Sequence, residues 1–129
     1  MRTQIIEKTL EQTLKGQIVF PDVVATLVGE GVCFYQVDLL RHEHRYYDAN
    51  GTSFVTQDSL QDLVSDGPFS AEKIKAAIRQ SQAGQLKYPE FMKEIGAAGC
   101  VFYVAYLDGK NVAYFGRTGD VHVEHFPQK

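Results

Sequence analysis

The sequence predicts an α+β fold in which a helix–helix–three-strand unit occurs twice and helices cover an antiparallel sheet. The first observation is an internal repeat: residues 16–51 align without a gap with residues 84–119, and nine of the 36 positions are identical. The second is that each copy contains helical spacing of apolar residues followed by stretches rich in β-branched and aromatic residues. A constant offset of 68 residues indicates two copies of one unit, packed as a pair.

The domain organisation follows from the size of the unit. We name residues 1–66 copy one and residues 67–129 copy two. A unit of about 65 residues has too small a core to be stable by itself, so we expect a single domain over residues 1–129.

Each copy is predicted to begin with two helices. Ile6, Leu10 and Leu14 recur at four-residue spacing in the first helix of copy one, and Ser70 is suited to cap the corresponding helix of copy two. Pro21 and Pro89 favour the first turn of each second helix, where a missing N–H has no cost. We expect the rings just before them, Phe20 and Tyr88, to pack against the core.

Three strands are predicted to follow in each copy. Residues 32–39 and 100–107 are rich in β-branched and aromatic residues, and Asp108-Gly109 is a hairpin signal. Residues 58–64 are predicted to form a short helix that links the copies.

The two copies differ on one face of the predicted sheet. Copy one presents Phe34, Gln36 and Asp38 there, whereas copy two presents an apolar strip. We expect the strip to be covered by the other copy, by a second subunit or by a ligand. The candidate binding residues are Phe102, Val104, Tyr106, Tyr46 and Tyr114.

Cys33 and Cys100 lie one position out of register in the repeat. Strand alternation therefore predicts that they point to opposite faces, with Cys33 towards the helices. We expect two free thiols, at least one of them buried.

The histidines and acids around the first hairpin are candidates for chemistry. Asp38, His44 and Asp48 would provide a carboxylate beside a histidine, which is the basis of acid–base catalysis. The spacing of His42 and His44, and of His122 and His125, does not match zinc-binding patterns, so we predict no metal site.

Composition and motifs exclude several function classes. The net charge of −3 and the absence of a basic stripe argue against nucleic-acid binding. The apolar runs are too short for a membrane span, and the first residues do not resemble a signal peptide, so we expect a cytoplasmic protein. No phosphate loop, dinucleotide fingerprint or nucleophile elbow is present, and we expect no cofactor.

Three recurring motifs resemble the YdfO-like family of small, uncharacterised, prophage-associated bacterial proteins, some of which carry the label "phage envelope protein". The motifs are Phe20-Pro21 or Tyr88-Pro89, Gly31-Val32 or Gly99-Cys100, and Tyr46-Tyr47-x-x-x-Gly51 or Tyr114-Phe115-x-x-x-Gly119. The resemblance covers nearly the whole chain. It implies an α+β fold and no agreed catalytic residues.

These observations favour a small non-enzymatic protein that binds a protein partner or itself. The apolar strip of copy two and the absence of a catalytic motif support this interpretation. The alternative is a small-molecule binder or an enzyme that uses the acid–histidine cluster at the first hairpin.

Overall fold

The helix–helix–three-strand unit occurs twice in the computed structural model, which describes residues 1–127. Copy one contains α1 (Thr3–Leu14), α2 (Phe20–Gly29), β1 (Val32–Asp38), β2 (Glu43–Asp48) and β3 (Ser53–Gln57). Copy two contains α3 (Ala71–Gln82), α4 (Tyr88–Ala97), β4 (Cys100–Tyr106), β5 (Asn111–Gly116) and β6 (Val121–His125). The predicted α+β fold is confirmed.

The repeat extends to the bounds of every element. Each helix and strand of copy two begins and ends 68 residues after its counterpart in copy one. Backbone angles repeat as well: φ is +84° at Gly31 and +87° at Gly99, and it is +57° at both His42 and Lys110. Left-handed angles at non-glycine residues are uncommon, so their recurrence at equivalent turns confirms that the unit is duplicated.

The two copies join edge to edge in one antiparallel sheet. The strand order is β3-β2-β1-β4-β5-β6, so the first strand of each copy meets the first strand of the other at the centre. Within that central pair, Gln36 lies opposite Val104. These are equivalent positions of the repeat, so a pseudo-twofold axis passes between them.

The helices cover one face of this sheet and enclose the core. Ile6, Ile74, Met92 and Ile95 are fully buried and belong to one cluster with side chains from the strands. The central strands contribute Tyr35, Val37, Tyr103 and Ala105 to that cluster.

The predicted helix starts are largely as expected. Pro21 and Pro89 lie in the first turns of α2 and α4, and the Ser70 hydroxyl accepts a hydrogen bond from the N–H of Lys73. The prediction for Phe20 is wrong, because this ring is 38% exposed and meets the ring of Phe126 edge to face. Tyr88 does pack against the core.

A β-bulge at the start of each central strand changes which cysteine is buried. Cys33 lies at the bulge in β1, and its equivalent, Val101, lies at the bulge in β4. The extra residue restarts the alternation, so Val32 and Cys100 face the helices. The predicted faces of the cysteines are therefore wrong, although both thiols are free and Cys100 is buried.

The segment that links the copies is not the helix predicted over residues 58–64; these residues are irregular, and Asp62 has a φ of +60°. The connection runs from the outer strand β3 to the start of α3, and an extended chain covers more distance per residue than a helix does. Tertiary hydrogen bonds hold it: the Ser65 hydroxyl donates to the Cys100 carbonyl over 2.6 Å.

No helix within residues 1–127 is both long enough and apolar enough to cross a bilayer.

Candidate functional site

The face of the sheet that points away from the helices is the main candidate; we name it the open face. Its side chains form three rows that cross all six strands from β3 to β6. The first row is Gln57, Glu43, Asp38, Phe102, Phe115 and Val121. The second is Val55, Arg45, Gln36, Val104, Ala113 and Val123. The third is Ser53, Tyr47, Phe34, Tyr106, Asn111 and His125.

One half of the open face is apolar, and it belongs mostly to copy two. Its members, which we name the apolar half, are Phe34, Tyr47, Phe102, Val104, Tyr106, Ala113, Phe115, Val121 and Val123. The rings contact one another: Phe34 stacks on Tyr47 with 4.8 Å between ring centroids, and Phe102 lies 5.1 Å from Phe115. Tyr106 is 38% exposed and Val121 is 51% exposed. The predicted strip of Phe102, Val104 and Tyr106 is therefore part of a larger apolar patch.

The other half of the open face is mostly polar, and its carboxylates are hydrogen-bonded. Its members, the polar half, are Gln36, Asp38, Glu43, Arg45 and Gln57. Glu43 accepts hydrogen bonds from Arg45 over 2.9 Å and from Arg41 over 3.2 Å, and these bonds lower its pKa. Asp38 accepts from the N–H groups of Leu40 and Arg41 in the hairpin turn. In the polar half, therefore, Glu43 is ion-paired and the Asp38 carboxylate is held by backbone N–H groups.

Tyr46 and Tyr114, the other two candidate binding residues, lie on the opposite face. Both are buried among the helices, at 4% and 6% exposure. Burial raises the pKa of each phenol. The neighbouring Tyr47 and Phe115 point to the open face instead.

The three candidate catalytic residues lie in three separate places. Asp38 caps the first hairpin turn on the open face, whereas His44 is buried on the helix-covered face. Asp48 lies at the far end of β2, where its carboxylate accepts from the N–H groups of Asn50 and Thr52. Because a strand rises about 3.3 Å per residue, His44 and Asp48 are separated by roughly 13 Å.

His44 has a different partner, which sequence reasoning missed. The carboxylate of Asp58, in the segment after β3, lies 2.9 Å from Nε2 of His44 and 3.0 Å from Nδ1 of His42. The side chains of Asp58 and His44 are 0% and 3% exposed, and that of His42 is 35% exposed. We name these three residues the hairpin histidine cluster.

The electrostatics of the cluster favour an ionised Asp58. Burial acts to raise the pKa of this carboxyl group, but the hydrogen bonds with His44 and His42 outweigh it and lower the pKa. The repeat contained one signal for this site. The positions equivalent to the three cluster residues are Lys110, Val112 and Phe126 in copy two, so the copies differ at all three positions. An arrangement of this kind can orient the partly exposed His42 ring as a proton acceptor or donor.

The second histidine pair is split by the sheet. His122 lies on the helix-covered side, 3.5 Å from Glu124, and His125 lies in a row of the open face. Within residues 1–127, no group of three or more histidine, cysteine, aspartate or glutamate side chains is arranged to hold a metal ion.

Comparisons with known proteins find a family model that is similar to one part of the chain. The search of curated proteins finds no match. The model of a family described as "Protein of unknown function (DUF1398)" matches residues 64–125, which include all of α3, α4, β4, β5 and β6. Copy two of this protein is thus similar to a domain of unknown function.

Proposed function

We propose that the protein forms a homodimer through the apolar half of its open face and that it acts by this self-association. The supporting observation is the contrast between the two faces of the sheet. Helices bury one face, whereas the other has rings and valines that are one-third to one-half exposed, such as Tyr106 and Val121. Contiguous exposed apolar patches rimmed by polar residues are typical of protein interaction sites.

A second copy of the chain is the partner that the charge distribution favours. In a twofold-symmetric interface each patch meets itself, so an unpaired charge would approach a like charge. The charged side chains next to the apolar half, Asp38, Glu43, Arg41 and Arg45, sum to zero, and Glu43 is paired with both arginines. The open face can therefore approach its own copy without repulsion.

The buried area sets the expected affinity of the dimer. Six strands that are about 4.8 Å apart and about 17–23 Å long span roughly 500 Å². The apolar half is about half of this face, so two apolar halves bury roughly 500 Å², which is below the usual size of a specific, stable interface. The dimer should therefore be reversible and depend on protein concentration.

Substitution of Val104 by Asp tests the proposal. Val104 lies at the centre of the open face, and a charge there would be desolvated in the dimer at a cost of several kcal/mol, about 3–5. We expect the wild type to elute as a dimer at high concentration in size-exclusion chromatography with light scattering. We expect Val104→Asp to be a monomer with an unchanged circular dichroism spectrum.

The matched control is Val55→Asp, on the same face but at the edge strand β3 and outside the apolar half. It should remain a dimer. A wild type that is monomeric at every concentration would refute the proposal, as would a folded Val104→Asp dimer. If Val104→Asp unfolds, Tyr106→Glu at a more exposed position provides the same test.

A second candidate function is ligand binding or acid–base chemistry at the hairpin histidine cluster. It is favoured by one observation: the buried Asp58 carboxylate holds the ring of the partly exposed His42. A metabolite that raises the melting temperature of the wild type but not of His42→Ala would support it. A screen in which every stabilising compound acts equally on both would count against it.

We also propose that the chain is a YdfO-like, prophage-associated protein of the cytoplasm. The support is the set of motifs that both copies share, including Phe20-Pro21 and Tyr88-Pro89. Two free cysteines fit a reducing compartment. Cell fractionation of the native protein tests the location.

A further inference from the structure

A small cavity on the helix-covered side of the sheet is lined by copy two and by Phe20 of copy one. Its volume is about 110 Å³, and it lies where the start of α4 and the end of α3 meet strands β4, β5 and β6. Six of the residues that line it are aromatic: Phe20, Tyr88, Phe91, Tyr103, Tyr114 and Phe126. Phe20 is exposed and meets Phe126 edge to face at 5.4 Å, so the cavity opens to solvent beside these two rings.

Two hydroxyl groups belong to residues that line the cavity. The hydroxyls of Tyr88 and Tyr103 are 2.9 Å apart, so one donates to the other. Each phenol has one proton and two lone pairs, which leaves one proton and several acceptor positions of the pair available. Burial raises the pKa of both phenols, so they remain protonated.

The lining has no unpaired charge among its carboxylates. Glu124 is the acidic residue of the lining, and Arg79 pairs with it over 2.7 Å. A charged ligand would lose its hydration without gaining a free counter-charge from Glu124. The site is therefore suited to a neutral molecule.

Comparison of the copies shows that this apolar cavity is specific to copy two. The equivalent cleft in copy one, between α1 and the end of β3, has a volume of about 330 Å³ and opens more widely to solvent. It is lined by Glu7, Glu11, Lys15, Thr56, Gln57 and Ser59 together with two leucines. In addition, Val112 and Phe126 of the cavity are replaced in copy one by the ion-paired His44 and Asp58.

We propose that this cavity binds a small, neutral, single-ring aromatic molecule of the phenol class. The ring lies among the aromatic side chains, and its hydroxyl group forms hydrogen bonds with the Tyr88–Tyr103 pair. The volume of about 110 Å³ is below that of an apolar cavity of about 150 Å³ that holds benzene, so part of the ring lies in the open side beside Phe20 and Phe126. Aromatic side chains contact a planar ring in offset or edge-to-face geometry.

The experiment titrates the full chain with phenol and, separately, with toluene, while methyl NMR signals are recorded. We expect phenol to shift the methyl signals of Val112 and Ile78, which line the cavity, and to leave those of Leu10 in copy one unchanged. Phenol should bind about three- to tenfold more tightly than toluene, as expected for one net hydrogen bond.

Two variants locate the site. Ser81→Trp places a large ring at the lining and should reduce phenol affinity at least tenfold, whereas Gln80→Trp on the same helix, outside the lining, should not. The double variant Tyr88→Phe/Tyr103→Phe, which removes both hydroxyls, should reduce phenol affinity to that of toluene. Unshifted Val112 and Ile78 signals would overturn the proposal, as would binding that Ser81→Trp leaves intact. Equal affinities for phenol and toluene in the wild type would overturn the role of the hydroxyl pair.

Discussion

Gln36 and Val104 are the same position of the repeat, and they lie directly opposite each other in the antiparallel pair of β1 and β4. The pseudo-twofold axis of the fold passes between them. Both point to the open face, so a polar and an apolar residue meet at its centre. The proposed interface lies mainly on the Val104 side of that axis and extends to Phe34 and Tyr47 on the other side.

The first prediction concerns Gln36→Val, which extends the apolar half across the axis. Val exposes methyl groups where Gln exposes an amide that must be desolvated in a dimer. We expect the dimer dissociation constant, measured by sedimentation equilibrium, to fall about tenfold, which corresponds to about 1.4 kcal/mol. Gln57→Val, at the edge strand β3, is the matched control and should leave the constant unchanged. Weaker association of Gln36→Val would contradict the proposed interface.

The second prediction concerns Asp58→Ala in the hairpin histidine cluster. The substitution leaves the buried Nε2 of His44 without its partner, and broken buried pairs cost about 3–5 kcal/mol. We expect a loss of about 3 kcal/mol in the free energy of unfolding at pH 7, because His42 is partly exposed and adds little. Asp66→Ala, at an exposed position in the same segment, should change stability by less than about 0.5 kcal/mol.

The wild type and Asp58→Ala should also differ in how their free energy of unfolding depends on pH. The folded-state pKa of Asp58 is lowered, and that of an unfolded aspartate is about 3.9. The contribution of Asp58 is therefore complete above about pH 4 and is lost as the pH falls through the folded-state pKa. Urea unfolding from neutral to acidic pH should show that the difference in the free energy of unfolding between the wild type and Asp58→Ala shrinks in that range. A difference in the free energy of unfolding that stays constant at all pH values would contradict an ionised Asp58 in the folded protein.

The third prediction compares two equivalent glycines. Gly31 and Gly99 both have φ near +85°, so an alanine at either position should cost about 1–2 kcal/mol. A Cβ atom at Gly99 would also lie 2.8 Å from the backbone of Phe69, whereas a Cβ at Gly31 meets nothing within 4 Å. We expect Gly99→Ala to be less stable than Gly31→Ala by a further 1–3 kcal/mol, about the cost of overpacking. Equal urea midpoints for the two variants would show that the linking segment can move aside.

The fourth prediction concerns the thiols. Cys100 is fully buried, and burial raises its pKa to about 12, so it should not react with a thiol reagent in the native protein. Cys33 is partly exposed, but its pKa is also raised, chiefly by burial, so it should react slowly. Titration should give one slow thiol in the native state and two after denaturation without reductant. Two rapidly reacting native thiols would contradict the structure.

The sequence by itself determined the architecture. The offset of 68 residues, Pro21 and Pro89 in the first helical turns, and the Ser70 cap are all present as expected, because each depends on neighbouring residues and is repeated in the chain. Strand alternation also placed Phe102, Val104 and Tyr106 together on one face. Interactions that act over a few residues can be read from a pattern.

Tertiary structure decided the remainder. The bulge at Cys33 reverses the alternation, and only strand pairing shows which residue is the extra one. Asp58 was predicted to lie in a helix, but its contact with His44 joins residues 14 positions apart, and the chain there follows its long-range hydrogen bonds instead of its helix propensity. Phe20 is exposed whereas its equivalent Tyr88 packs against the core, and the apolar cavity occurs in copy two. These differences depend on how the two copies pack together, since equivalent positions meet different neighbours.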